Sequence, residues 1–277
     1  MSLGAEEIKP YREHQPKAEQ VEAMFDNIAH SYDIMNNAMT LGLHRRWLRR
    51  SLAGLHLQPG APMKILDVAT GTGDVALRLA REYPEATVTG IDLSEGMLGI
   101  ARQKLASHPE LAPERASAPE TQEARKEPEQ ERLTQEGEQK SQRVRFLQAD
   151  SLDMPFADDE FSLLTVAYGV RNFEDLNRGL REFHRVLKPG GQVMVLELSV
   201  PEGTVTRLGY KLYTRTLIPL VGRLVSKDRR AYSYLPESIA AMPSPREVER
   251  MMEEAGFHDV SRRSFAFGAA TCYYGKK

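Results

Sequence analysis

The sequence predicts an α/β fold: a mostly parallel sheet with helices on both faces. Three observations carry this. Five short apolar runs (63–69, 86–91, 144–147, 161–167 and 192–198) alternate with helical stretches. The runs are near-continuously apolar rather than alternating, as strands buried on both faces must be. The first run stops at a glycine-rich turn that opens a helix.

Length and composition fit that class. The chain has 277 residues, with 37 basic against 39 acidic side chains and a net charge of −2. This is enough for one or two domains with a sizeable core, and the near-neutral balance argues against a nucleic-acid binder. A single cysteine, Cys272, excludes an intramolecular disulfide framework or a cysteine zinc cluster and fits a reducing compartment. No apolar run approaches the roughly 18–20 residues of a membrane span, and residues 1–20 have no apolar leader core, so a cytoplasmic protein is expected. No spacing suggests a metal site.

In chain order, residues 1–20 read as a polar, irregular tail. Val21, Met24, Phe25 and Ile28 then fall at helical spacing, followed by a less regular stretch, Tyr32 to Asn37. A second helix over 43–55 carries the only tryptophan, Trp47, and ends at Pro59-Gly60. Helices over 74–83, 95–105 and 176–187 separate the five strands. Ser244-Pro-Arg-Glu247 is a capping box with proline at the first helical position, and Gly256 stops that helix. Two β-rich runs, 257–267 and 269–274, form a terminal hairpin. Between Ala106 and Arg143 lie 36 residues (107–142) with nine glutamates, five lysines or arginines, and only Leu111 and Leu133 as large apolar residues. Such a stretch cannot bury enough surface to offset its ordering entropy, so a disordered acidic insertion is expected.

The stretch Asp67-Val-Ala-Thr-Gly71-Thr72-Gly73-Asp74 follows a strand and opens a helix. Glycines there let backbone amides approach a ligand where a β-carbon would collide. Asp92, 21 residues beyond Gly71 at the end of the next strand, is placed to accept hydrogen bonds from ribose hydroxyls. This constellation fits a nicotinamide dinucleotide as well as S-adenosylmethionine (SAM). Asp67, four residues before Gly71, and Asp150, just past the third strand, favour SAM.

With Arg185-Val-Leu-Lys-Pro-Gly-Gly191 these motifs resemble those of class I SAM-dependent methyltransferases. The resemblance implies a Rossmann-like, seven-stranded, mostly parallel sheet with an antiparallel last strand and a C-terminal β-hairpin. Gly90-Ile-Asp-Leu-Ser-Glu-Gly-Met97, Tyr168-Gly-Val-Arg-Asn172, Leu196-Glu-Leu-Ser-Val-Pro201 and Ala231-Tyr-Ser-Tyr-Leu-Pro-Glu-Ser-Ile239 are similar to the ubiquinone/menaquinone biosynthesis C-methyltransferases. That family methylates a carbon of a polyprenylated quinol. Demethylmenaquinol is the substrate expected here, with a ubiquinone-pathway quinol as the alternative.

By resemblance, Asp67, Gly71, Thr72, Gly73, Asp92, Asp150 and Ser151 form the cofactor site, although the family commonly has Asn-Ala in place of Asp150-Ser151. Activating a ring carbon requires a hydroxyl of ordinary pKa about 10 to give up its proton. Arg171 is expected to stabilise the resulting oxyanion, or else to be a structural ion-pair partner. Asn172 is expected to orient the ring, and Tyr32, on a lid segment, to line the quinol pocket. His30 and His44 are weaker candidates for a base. Residues 200–243 are expected to cap the substrate site. Within them, Gly203 to Arg230 carry seven basic residues against one acid among aromatic and apolar neighbours, which suits an anionic membrane surface.

Overall fold

A computed structural model describes residues 4–11, 14–55, 57, 63–111, 143–201, 203, 206, 209 and 229–277. Strands β1 (Lys64–Val68), β2 (Thr87–Asp92), β3 (Val144–Gln148), β4 (Phe161–Ala167) and β5 (Leu187–Leu198) pair in parallel, and β6 (His258–Phe265) and β7 (Ala270–Lys276) complete one sheet of order β3-β2-β1-β4-β5-β7-β6. β7 runs antiparallel to both β5 and β6, so the expected terminal hairpin closes the sheet edge. The order reverses between β1 and β4, whose carboxyl ends therefore diverge and leave the crevice where ligands bind in such sheets.

Alternate residues of the apolar strands feed opposite faces. Ile65, Val88, Leu163 and Met194 pack one layer of the core, and Leu66, Val68, Ile91, Leu164 and Val195 the other. Helices α4 (Asp74–Glu82), α5 (Glu95–Ala106), α6 (Leu176–Val186) and α8 (Pro245–Glu254) cover these faces, with α7 (Arg229–Ala241) preceding α8. Their starts are legible in residue type: Ser94 accepts from the Met97 amide, Asp175 from the Arg178 amide, and Ser244 and Glu247 form the reciprocal capping box. β5 begins at Leu187, earlier than expected, because Leu187 pairs with Phe161. A register shift then absorbs the Lys-Pro-Gly-Gly residues before Leu163 pairs with Gln192.

The N-terminus departs most from expectation. A short helix, α1 (Gly4–Glu7), precedes α2 (Lys17–Thr40), a single helix of 24 residues. It takes in the end of the supposed tail and the whole irregular stretch Tyr32–Asn37. Lys17 and Gln20 are polar yet buried, at 1% and 3% exposure, so composition could not reveal that the helix starts before Val21. A third apolar cluster joins Val21, Met24, Ile28 and Met39 of α2 to Met97 of α5 and Tyr234 of α7. Helix α2 ends at Leu41 and Gly42, both left-handed, before α3 (Leu43–Leu52).

Of the stretch expected to be an acidic insertion, residues 107–111 are described. Residues 109–111 form a 3₁₀ turn, with Leu111 buried in the core; residues 112–142 lie outside the described residues. The basic run of 203–230 lies outside them too, apart from Gly203, Thr206, Gly209, the backbone of Arg229, and Arg230. No helix among the described residues is long and apolar enough to cross a membrane.

Candidate active site

The chain bends sharply where β1 and β4 end. Ala69 (φ 49°) and Tyr168 (φ 62°) are both left-handed although neither is glycine, a strain that persists only where the surroundings impose it and that clusters at functional sites. The two corners touch: a β-carbon on Gly169 would lie 2.6 Å from that of Ala69. Two cavities open beside these corners, and both are walled by Tyr32 and Tyr168.

The first cavity, about 70 Å³, is lined by Gly71, Asp92, Asp150, Ser151, Asn172 and Phe25, among others. Gly71 is left-handed (φ 56°) with open space where a β-carbon would be, and its amide donates to Asp92 Oδ2 at 2.8 Å. Asp92 Oδ1 accepts from the Ser94 amide at 3.0 Å. Burial pushes the Asp92 carboxyl up to about 6, against these amide donors, so it is ionised at neutral pH. It has no cationic partner among the described residues. A buried carboxylate with lone pairs to spare at a strand end fits a ribose diol, and Phe25, Leu93 and Leu152 provide an apolar wall for a base. Asp150 Oδ1 accepts from the Leu152 amide at 2.8 Å, fixing the turn that presents Ser151.

Three expected cofactor residues do not line this cavity. Asp67 lies beneath the loop, where Thr70 and Thr165 hydroxyls donate to it at 2.5 and 2.7 Å, and burial raises its carboxyl to about 7. These bonds tie the start of the glycine turn to β1 and β4 from below. Thr72 Oγ1 donates to Asp33 at 2.8 Å and accepts from Lys104 at 2.9 Å, tying the turn to α2. Gly73 (φ 81°) caps α4 where a β-carbon would meet Ala101 and Phe146 at 2.9 Å, so glycine is required there by packing.

The second cavity, about 310 Å³, is walled mainly by apolar groups, including Met39, Trp47, Leu198 and Ile239. Arg171 is on its wall, at 6% exposure, and pairs with the buried Glu197 at 2.9 Å. It also donates to the Tyr168 carbonyl. Burial lowers the Arg171 pKa, but Glu197, ahead of the phenols of Tyr32 and Tyr234, holds it above its usual value. The expected ion pair of Arg171 is therefore present, and the same residue stands on the wall of the cavity. Its Nε and the Tyr168 hydroxyl are buried without a hydrogen-bond partner. Asn172 lines the first cavity, and its Oδ1 accepts from Tyr234 at 3.1 Å.

Of the two histidines, His30 is exposed and lines neither cavity. His44 lines the second, shares a 2.7 Å hydrogen bond with Thr40, and has its pKa lowered by burial and then by Arg45, so it is neutral at pH 7. Sequence reasoning missed Tyr168 and Glu197, although both sit inside quoted motifs. It also missed Lys17, whose Nζ donates to the carbonyls of Arg171 and Phe173 at 3.2 and 3.0 Å. No group of three or more His, Cys, Asp or Glu among the described residues could hold a metal.

Solved structures share the fold. A SAM-dependent methyltransferase of Thermotoga maritima superposes with TM-score 0.59 at 16% identity, covering 92% of this chain and 99% of that one. Phosphoethanolamine N-methyltransferase 2 of Haemonchus contortus, in complex with SAM, superposes at 0.53 and 16%, covering 84% and 52%. Sequence relatives cover nearly the full length. The demethylmenaquinone methyltransferase of Porphyromonas gingivalis is 41% identical over 98% of both chains, that of Bacteroides fragilis 38% over 100% of both, and that of Thermus thermophilus 38% over 92% of this chain and 100% of that one. Residues 13–114 and 121–277 match the profile of the ubiE/COQ5 methyltransferase family. The chain belongs to that family and is a SAM-dependent methyltransferase.

Proposed function

We propose that the chain methylates a ring carbon of a polyprenylated quinol, converting demethylmenaquinol to menaquinol. The observation that carries this is the apolar second cavity, which meets the cofactor cavity at Tyr32 and Tyr168 and has a buried guanidinium on its wall. The names of the full-length relatives support the same substrate.

SAM, when bound, supplies an electrophilic methyl group. Gly71, Asp92, Asp150 and Ser151 hold it, while Asp67, Thr72 and Gly73 shape the turn beneath it. Arg171 donates its unpartnered Nε–H to a ring oxygen and stabilises the oxyanion that makes the ring carbon nucleophilic. Asn172 stands in the cofactor cavity with its carbonyl engaged by Tyr234, and its NH₂ orients the ring where the two cavities meet. Tyr32 has its pKa raised by burial, so it stays neutral and serves as wall and donor. Helix α7 caps the cavity through Leu235 and Ile239. A polyprenyl substrate resides in the bilayer, so the chain works against the inner face of a membrane.

The test is methyl transfer from labelled SAM to reduced, detergent-solubilised demethylmenaquinone, read by mass spectrometry. A one-methyl gain that needs both SAM and prior reduction is expected. No gain from a sample that binds SAM overturns the substrate. Arg171→Ala should lower turnover far more than SAM affinity; equal losses overturn its role.

A further inference from the structure

Five large apolar side chains are exposed among the described residues, and three of them, Leu41 (75%), Leu43 (40%) and Phe267 (86%), belong to the wall of the second cavity. They come from two distant segments, the α2–α3 turn and the β6–β7 turn. Leu41 (φ 50°) and Phe267 (φ 57°) hold left-handed backbone conformations that a side chain disfavours and that turns normally give to glycine or asparagine. Two separate turns thus each spend backbone strain on a bulky apolar group facing water beside one opening.

The ground around the opening is basic. Helix α3, which starts at Leu43 and lines the cavity with Trp47, contains Arg45, Arg46, Arg49 and Arg50 and no acid. All four arginines are exposed, and none has an ion pair among the described residues. Arg263, also exposed, stands 5.6 Å from the Phe265 ring on the strand that leads to Phe267. Apolar tips within a fringe of arginines are the composition of an interfacial membrane contact. A symmetric contact with a second copy through this face would bring the two arginine fringes together, which disfavours that occupant.

We propose that the rim formed by Leu41, Leu43 and Phe267, with the arginines of α3, docks the mouth of the substrate cavity onto an anionic bilayer. The apolar tips enter the acyl boundary and the guanidinium groups engage lipid phosphates. This deepens the quinol reading and rests on it: a prenyl tail could then pass from lipid into the cavity without crossing water.

Flotation of the full chain with phosphatidylcholine vesicles, with and without phosphatidylglycerol, tests it. Binding is expected only with the anionic lipid and should weaken as salt rises. Arg45→Gln with Arg49→Gln should lower it about 25-fold, about fivefold (about 1 kcal/mol) for each arginine. Phe267→Trp should keep binding and shift its emission to the blue on anionic vesicles, while Leu41→Asp with Phe267→Asp should abolish binding yet still show a SAM-dependent rise in melting temperature. No vesicle binding by the unmodified chain, binding that ignores these substitutions, or a dimer that the Asp variants dissolve would each overturn the proposal. Methylation of solubilised demethylmenaquinol without vesicle binding sinks the surface and spares the quinol reading. Vesicle binding without methylation of any quinol does the reverse.

Discussion

Glu197→Gln removes the counter-charge of Arg171 while keeping the side chain's shape. Glu197 is 1% exposed and Arg171 6%. Glu197 Oε1 accepts from Arg171 Nη1 at 2.9 Å and from the Leu198 amide at 2.7 Å, and Oε2 accepts from the Arg171 amide at 3.2 Å. Glutamine has a single acceptor oxygen, so its NH₂ must face one of these N–H groups. A buried ion that loses its partner costs about 3–5 kcal/mol, a large share of the roughly 5–15 kcal/mol that holds a domain together. At about 2–4 °C per kcal/mol for a chain of this size class, the melting temperature should fall by about 6–20 °C. Urea unfolding at pH 7 measures the difference directly. Arg171→Met with Glu197→Met removes both charges and should recover most of the loss, because an apolar pair leaves no ion stranded. A Glu197→Gln protein within about 1 kcal/mol of the parent, or a double variant as unstable as the sum of the singles, would refute the argument that the ion pair holds Arg171 in place.

Gly71→Ala should lower stability by only about 1–2 kcal/mol, the left-handed backbone penalty, because a β-carbon there meets nothing within 4 Å. Gly73→Ala adds contacts at 2.9 Å with Ala101 and Phe146 and should lose about 1–3 kcal/mol more; thermal unfolding of the two orders them. Burial raises Asp92 to about 6 from 3.8, so the folded chain holds this proton more tightly than the unfolded one. Its contribution to stability without ligand therefore declines as pH rises from 3.8 to about 6, and Asp67, raised to about 7, acts in the same direction. Ribose binding needs the carboxylate, so SAM affinity by calorimetry should be level above pH 7 and fall up to about tenfold per unit below pH 6; Asp92→Asn should be weak and flat throughout. Tyr234→Phe removes the 3.1 Å hydrogen bond to Asn172, worth about 1 kcal/mol. Asn172 lines the cofactor cavity, so SAM affinity by calorimetry should fall by up to about fivefold, with KM for the quinol raised by a similar factor.

The sheet was legible in the sequence because its strands are apolar for geometrical reasons and end at residues with no other use there, such as Gly71 and Asp92. Capping residues Ser94, Asp175 and Ser244 announce helices by the same local logic. Helix α2 was not legible at its ends because, beside its apolar cluster, polar contacts hold it that look solvated in sequence. Lys17 reaches two carbonyls near Arg171, Asp26 accepts from Ser94 Oγ at 2.6 Å and the Gly96 amide at 2.9 Å, and Asp33 accepts from Thr72 and pairs with Lys104. A charged residue that is buried by a partner 154 positions away looks, in sequence, like any solvated one. The candidate site divides the same way. Residues on the glycine turn stood out by type, but whether each faces a ligand or braces the turn depends on which side of one loop it occupies. Glu197 lay hidden within an apolar strand, its partner Arg171 coming from the 3₁₀ turn that follows β4.

Helix α2 walls both cavities: Phe25 lines one, Met39 the other and Tyr32 both. Neither ligand can settle against that helix without also fixing part of the surface awaiting the other. Any shift of α2 on binding one ligand therefore alters the wall of the other ligand's cavity. Linkage makes any such effect reciprocal: the factor by which SAM changes quinol binding equals the factor by which quinol changes SAM binding.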